Sequence, residues 1–230
     1  VLETASQQLH IPREKFLLNY STVDLRKIRP ATSSGRSLIR EKYRIRSDTF
    51  VFTTAGRLVE QKGHEYLIEA FRKIRFAEGK DVKLFIFGEG IRRAELEARV
   101  KERGLAGTVF LPGVAPVTDI IAIADVFVFP SLWEGMSLVL LEAMAGGLPI
   151  VATDVSGSRE LVSSANGYLV PPKDSDALAE KMQILLEDAF LRTRFAAASR
   201  KEAEKFSIER NIMDVQKMIE EGLQKIHKAL

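Results

Sequence analysis

From Phe50 onward, short apolar runs alternate with longer stretches whose apolar residues recur three and four apart. Runs such as Phe50–Ala55, Val82–Phe87 and Val126–Phe129 show little polar alternation, as expected of strands buried on both faces. The stretch Gly63–Ile74 instead sets Leu67, Ile68, Phe71 and Ile74 at helical spacing. The pattern predicts further strands at Thr108–Leu111, Pro149–Ala152 and Tyr168–Val170. It predicts helices at Ser37–Tyr43, Arg92–Arg103, Asp119–Ala124, Ser137–Met144 and, briefly, near Ser158–Leu161. Strands alternating with helices mean βαβ crossovers, and hence an α/β fold: a doubly wound parallel sheet of about six strands with helices on both faces.

Both ends of the chain depart from this alternation. Val1–Leu9 can form a short helix stopped by Pro12, and Phe16–Leu18 reads as a short strand. After Pro171-Pro172, Asp174 or Ser175 can cap a helix over Asp176–Leu186, and two more helices complete the chain. The last aligns Ile208, Ile212, Val215, Ile219, Leu223 and Ile226 on one stripe, so it is expected to lie over the domain surface.

Composition narrows the class. With 230 residues and 46% hydrophobic content, the chain can bury a full core as one large domain. No apolar run approaches the length of a membrane span, and Val1-Leu2-Glu3-Thr4 does not show a basic-then-apolar leader pattern. Cysteine is absent, which excludes disulfides and thiolate metal sites and is compatible with a reducing cytoplasm. The net charge of +3 is unevenly spread: residues 1–50 carry ten Lys/Arg against five Asp/Glu. The excess lies in Arg26, Lys27, Arg29, Arg36, Arg40, Lys42, Arg44 and Arg46. A nucleic-acid or anionic-membrane surface is one reading. A solvated loop and helix face is favoured, because only Tyr43 is interleaved for base stacking.

In a doubly wound sheet, ligands sit beyond the carboxyl ends of the strands. After Phe50–Ala55 comes Gly56-Arg57-Leu58-Val59-Glu60-Gln61-Lys62-Gly63, a glycine-bounded loop with two cations suited to a diphosphate. Gly88-Glu89-Gly90 and Pro112-Gly113-Val114-Ala115-Pro116 follow the next two strands. After Val126–Phe129 come Pro130 and Glu134-Gly135-Met136-Ser137-Leu138, with Ser137 a good N-cap type, so a tight turn delivers the chain to a helix start that can bind an anion. Glu134 and Glu142 flank that point, which suits a ligand carrying hydroxyls beside its phosphates. Taken singly, these residues have ordinary readings as turn glycines, solvated cations and surface acids. Gly88-Glu89-Gly90 lacks the third glycine of a dinucleotide fingerprint, Arg93 standing in its place. His10, His64 and His227 are scattered, so no metal cluster is expected, and His64 reads as a helix-start residue rather than a base.

Together these motifs resemble the C-terminal domain of retaining family-4 glycosyltransferases. The resemblance rests on Gly56-Arg57-Leu58 with Lys62-Gly63 and on Phe87-Gly88-Glu89-Gly90. It rests also on Ala124–Ser131 running into the E-x7-E pair Glu134/Glu142, and on Glu142–Pro149 and Asn166–Pro172; it covers roughly Asn19 to Phe206. It implies one half of a GT-B enzyme, built of two Rossmann-like domains facing a cleft. Residues 13–206 would be the donor-binding domain, 207–230 an amphipathic helix packed on it, and 1–12 a remnant of the interdomain connection. The implied activity is hexosyl-type glycosyl transfer from a UDP-, GDP- or ADP-sugar with retention, in polysaccharide or glycoconjugate biosynthesis. No metal or cofactor is implied.

The resemblance also assigns roles. Arg57 and Lys62 would hold the donor diphosphate, helped by backbone amides from Met136, Ser137 and Leu138 beyond Gly135. Glu142 would take the ribose hydroxyls and Glu134 hydroxyls of the transferred sugar, which makes Glu134, Arg57 and Lys62 the catalytic set. Gly113 and Val114 would border the base, and Gly56 and Gly88 would line the pocket. The acceptor (a sugar, a lipid-linked sugar or a small molecule) would bind an N-terminal domain outside this chain. No nucleic-acid partner is implied, and the full protein would be cytoplasmic, with room for a place at the cytoplasmic face of a membrane. Two departures stand out: Asn19–Asp24 is longer than the family's Asn-Gly-Val-Asp and lacks its glycine, and Ser156-Gly157-Ser158-Arg159 keeps one of two glycines. The alternatives are a non-catalytic nucleotide-sugar or partner-binding module of the same fold, and an epimerase-like enzyme.

Overall fold

The computed structural model describes residues 8–12, 16, 19–76 and 78–229, with side chains up to Gly222. The helix predicted over Val1–Leu9 and the strand over Phe16–Leu18 lie largely outside the described residues. Six strands form one parallel sheet in the order β3-β2-β1-β4-β5-β6. They are β1 (Phe50–Ala55), β2 (Val82–Phe87), β3 (Val109–Gly113), β4 (Val126–Phe129), β5 (Ile150–Thr153) and β6 (Gly167–Val170). The order reverses between β1 and β4, which pair through Phe52 with Val126 and Thr53 with Phe127. That seam is the topological switch point.

Alternation along the strands builds a core on each face. On one side Phe52, Leu84, Ile86, Val128 and Val151 pack beneath α2 (His64–Lys73), α3 (Arg93–Glu102) and α7 (Ser175–Glu187). On the other, Val51, Phe85, Phe127 and Phe129 pack against α4 (Val117–Ile123), α5 (Leu138–Ala145) and residues from α1 (Ser33–Lys42). The short α6 (Ser156–Arg159) follows β5, and α8 (Ala189–Ala203) leads to α9 (Ile208–Ala229).

Most predicted elements are present, with shifted ends. The helix expected from Ser37 starts at Ser33, because Thr32 caps it by accepting the Gly35 amide at 3.1 Å. β3 runs through Pro112 to Gly113, which an edge strand tolerates since the proline's missing donor faces no neighbour. The stripe of α9 is covered only in part: Ile208 and Val215 are half-buried, whereas Ile212 and Ile219 are 52% and 56% exposed. The helix is tied down at its root, where Val23 bonds Phe206 and Ile208 through the backbone.

The basic segment has a structural use that charge counting did not reveal. Asp125, at the entry to β4, accepts Arg36 Nη2 at 2.6 Å, Arg40 Nη2 at 2.9 Å and the Val51 amide at 2.8 Å. The two guanidiniums also reach the carbonyls of Ala122, Ala124, Ile123 and Thr49. Lys42 pairs with Asp119, and Arg46 with Asp48. Much of the positive excess therefore clamps α1 to the sheet, at the end opposite the strands' carboxyl termini. Removing the carboxylate leaves Arg40, 5% exposed at its side chain, without its counter-charge. Asp125→Ala is expected to cost about 3–5 kcal/mol in urea unfolding. A loss below about 1 kcal/mol, the value of a surface pair, would show the clamp to be unimportant.

Candidate functional site

At the carboxyl end of the β1–β4 seam, two loops run side by side. The loop after β1 spans Gly56 to Gly63, and the turn after β4 spans Pro130 to Ser137. The Leu132 amide donates to the Gln61 carbonyl at 2.7 Å. Gly63 has φ +60°, and a Cβ there would lie 2.1 Å from the Pro130 carbonyl oxygen, so only glycine lets the strands' ends close up. Lys62 Nζ then meets Glu134 Oε2, both side chains being largely buried at 13% and 16% exposure. Gln61 Nε2 donates to the Trp133 carbonyl at 3.0 Å and reaches Glu134 Oε1 at 3.4 Å. Lys62 Nζ also sits 5.2 Å from the centre of the Phe129 ring, a cation–π arrangement.

A third loop buttresses the turn. Thr153, closing β5, donates its hydroxyl to the Ser131 carbonyl. The Gly157 amide donates to the Glu134 carbonyl at 3.2 Å, and a Cβ on Gly157 would fall 1.5 Å from the Gly135 carbonyl oxygen. The glycine retained in Ser156-Gly157-Ser158 is thus the one on which the turn after β4 rests.

Beyond that turn, Ser137 occupies the N-cap of α5 in extended geometry and makes no side-chain cap bond. The first amides of the helix, from Leu138 on, are consequently left to an outside acceptor. Glu142 lies in the second turn of α5, half-buried, and its carboxylate makes no hydrogen bond or ion pair among the described residues. Burial pushes its carboxyl above the ordinary range.

A separate hollow of about 340 Å³ opens beside the seam, lined by Gly56, Arg57, Gly88, Glu89, Val114 and Ile120 among others. Its floor is stitched by Gly56 N to the Phe87 carbonyl at 3.0 Å and Gly88 N to the Gly113 carbonyl at 2.9 Å. Glu89 is fixed by both Arg93 Nε and Nη2 at 2.7 Å, which holds its carboxyl below the usual range. Gly113 borders the hollow through Glu89, whose Oε1 would be 3.1 Å from a Cβ there. The side chain of Arg57 is exposed at the hollow, without an ion pair among the described residues.

The predicted residues fall into two adjoining groups. Arg57, Gly56, Gly88 and Val114 face the hollow; Lys62 and Glu134 form the bridge across the seam, with Gly135, Met136, Ser137 and Leu138 in the turn beside it. Gly56 joins the groups, since the Lys62 stem lies 3.3 Å from where its Cβ would be. Glu142 stands one turn further along α5 than Leu138 and does not line the hollow. Sequence reasoning passed over Gln61 and Thr153; His64, read as a helix-start residue, does open α2, but it is 1% exposed with Nε2 3.3 Å from the Arg57 carbonyl. Burial pushes that imidazole down to about 4 against the donation to Arg57, helped by the positive Lys62 and Arg92. Thr153 and Gln61 could have been noticed from their places at a strand end and beside Lys62. Nothing in the sequence marked His64 as internal. Among the described residues, no group of three His, Asp or Glu side chains is placed to hold a metal ion, and no helix is long and apolar enough to cross a membrane.

A doubly wound parallel sheet whose order reverses at β1 and β4, with Lys62, Glu134 and a helix start beyond that point, defines an α/β domain of the Rossmann-like kind. Residues 35–202 match the family described as glycosyl transferases group 1. The chain belongs to that family. It is 34% identical over 194 residues to the GDP-mannose-dependent monoacylated alpha-(1-6)-phosphatidylinositol monomannoside mannosyltransferase of Corynebacterium glutamicum, covering 80% of this chain and 50% of that one. Anabaena Alr3699/HepE, solved with UDP and glucose, overlays with a TM-score of 0.86 at 24% identity, covering 95% of this chain and 60% of that chain. The C-terminal domain of the glycosyl transferase group 1 family protein LpcC from Francisella tularensis overlays at 0.71 with 29% identity, covering 81% of this chain and 99% of that one. The chain spans about half the length of the curated relatives it matches.

The unpaired Glu142 should cost stability. Its folded carboxyl titrates above its unfolded value, so the fold takes up the proton first and this group's contribution is lost as pH rises through the folded value. Glu142→Gln is expected to raise stability at pH 7 by up to about 1 kcal/mol, discounted for partial solvent screening. The gain should shrink as pH falls towards the ordinary carboxylate range. Urea titrations of both proteins at pH 7 and pH 4 check this; a destabilised glutamine variant at neutral pH would contradict it.

Proposed function

We propose that this chain is the donor-binding half of a retaining GT-B glycosyltransferase, acting with an N-terminal domain that holds the acceptor. The observation that carries the reading is the β1–β4 seam, where Lys62 is held by Glu134 beside an uncapped helix start. A diphosphate there would lie between Lys62, the exposed Arg57 and the amides from Met136 to Leu138. Glu134 keeps Lys62 ordered before a ligand arrives, which reduces the entropy lost on binding. Glu142 has a desolvated carboxylate in want of donors, and ribose hydroxyls supply them. Glu134, pointing from the turn, takes hydroxyls of the transferred sugar. The hollow bordered by Gly88, Gly113 and Val114 takes the base against its apolar wall.

In the reaction, the bond from the anomeric carbon to the diphosphate breaks and negative charge grows on the leaving oxygen. Fixed cations and the helix dipole stabilise that charge without reorganising. Because protein groups meet the charge, donor binding is proposed to need no divalent ion. The LpcC likeness supports assignment to a C-terminal half, and the GDP-mannose-dependent relative supports a nucleotide-sugar donor. That relative's lipid-linked acceptor supports work at a membrane face for the whole protein.

Calorimetric titration with UDP, GDP and ADP in the presence of a chelator tests the reading. Saturable heat is expected with at least one of the three, and none at millimolar ligand would overturn it. Glu142→Ala should weaken the nucleotide by about 1–3 kcal/mol through lost ribose hydrogen bonds. Glu134→Ala should weaken the nucleoside diphosphate somewhat, through the lost ordering of Lys62, and its sugar conjugate by more; equal losses for both would remove Glu134 from the sugar.

A further inference from the structure

We infer that His64 is a positioning residue that sets the Arg57 guanidinium for the donor through a bond to the Arg57 backbone; this rests on the donor reading above. The loop after β1 must present two cations in fixed places, and the one side chain it sinks fully into the core is Leu58, between them. Lys62 is fixed by Glu134, and Leu58 by exchange with the neighbouring loop, its amide donating to the Glu89 carbonyl at 2.8 Å and its carbonyl accepting from the Arg92 amide at 3.0 Å. Arg57 has no side-chain partner among the described residues. Its carbonyl is instead held from within, accepting the Val59 amide at 2.9 Å and His64 Nε2 at 3.3 Å. The first bond makes a tight γ-turn; the second anchors that turn to the first residue of α2.

A carbonyl accepts only, so Nε2 carries the imidazole proton and Nδ1 is bare. Nδ1 is buried with no hydrogen-bond partner. A second proton there would have no acceptor and would stand near Lys62 and Arg92, so the neutral tautomer is enforced. An apolar residue would have filled the same volume beneath Gly63 without leaving a buried nitrogen unsatisfied, and such a nitrogen has a cost. The imidazole is explained by the one bond it makes. With the carbonyl turned inward, the Arg57 side chain is directed out to the hollow.

The test is a double-mutant cycle on nucleotide affinity, using whichever of UDP, GDP and ADP binds the wild-type chain. His64→Leu, with the bond removed and the volume kept, should weaken binding about ten-fold, the size of a contact-coupled effect. In an Arg57→Ala background the same change should have little effect, because there is no guanidinium left to place. His64→Gln, which offers an amide N–H to the same carbonyl, should recover part of the loss, and His64→Asn, too short to reach, should not. A merely structural histidine would give the same loss with and without Arg57 and would overturn the inference. So would affinities unchanged in folded His64→Leu or His64→Asn proteins. If the wild-type chain binds none of the three nucleotides, the donor reading itself fails and this inference with it.

Discussion

The parallel pairing of β1 with β4 is the constraint from which the rest follows. Because chain order reverses there, the loops leaving the two strands diverge to opposite faces of the sheet and open a cleft between them. In this chain the cleft is narrowed at its base by Gly63 against Pro130 and bridged by Lys62 and Glu134. A charge pair placed this way is only partly desolvated, so each partner keeps capacity for a ligand. The buttress from the third loop, through Thr153 and Gly157, fixes the turn so that the bridge need not hold it alone.

The two ends of the same seam contrast in how their charges are satisfied. At the entry end, Asp125 accepts from two arginines and a backbone amide, and those arginines turn further terminal donors to carbonyls. Arg40 Nε alone is left buried without a partner among the described atoms of that network, and the network is a clamp. At the exit end, Arg57 and Glu142 have no side-chain partners among the described residues and the first amides of α5 lack a cap. Local incompleteness of this kind has a cost in the free chain, and it is tolerated where a ligand completes it.

The sheet was legible because apolar runs and helical stripes follow the burial that produces them. Phe50–Ala55 and Val126–Phe129 are read correctly to the residue since both faces are buried. Element ends were less legible where a cap or an edge position intervened, as at Thr32 and Pro112. The loops carrying Arg57, Lys62, Glu134 and Glu142 could be named from residue type and place at strand ends. Their division into a hollow and a bridge could not, because it depends on which loop backbone touches which. The basic stretch from Arg26 to Arg46 misled as a charge count, since the acids that neutralise Arg36, Arg40 and Lys42 lie about eighty residues further on.

His64 shows the physical limit of reading residues singly. A histidine after a glycine at a helix start is ordinarily half-solvated, with a proton equilibrium near neutrality. Here closure of Gly63 onto Pro130 draws the helix start inward and takes the imidazole out of water, and its proton affinity falls with it. The same closure brings Lys62 to Glu134. One glycine contact thus places a cation at the seam and puts a neutral donor under the neighbouring arginine. Substituting any larger residue at Gly63 would push the Pro130 carbonyl away and disturb both at once, which ties the two halves of the loop into a single unit.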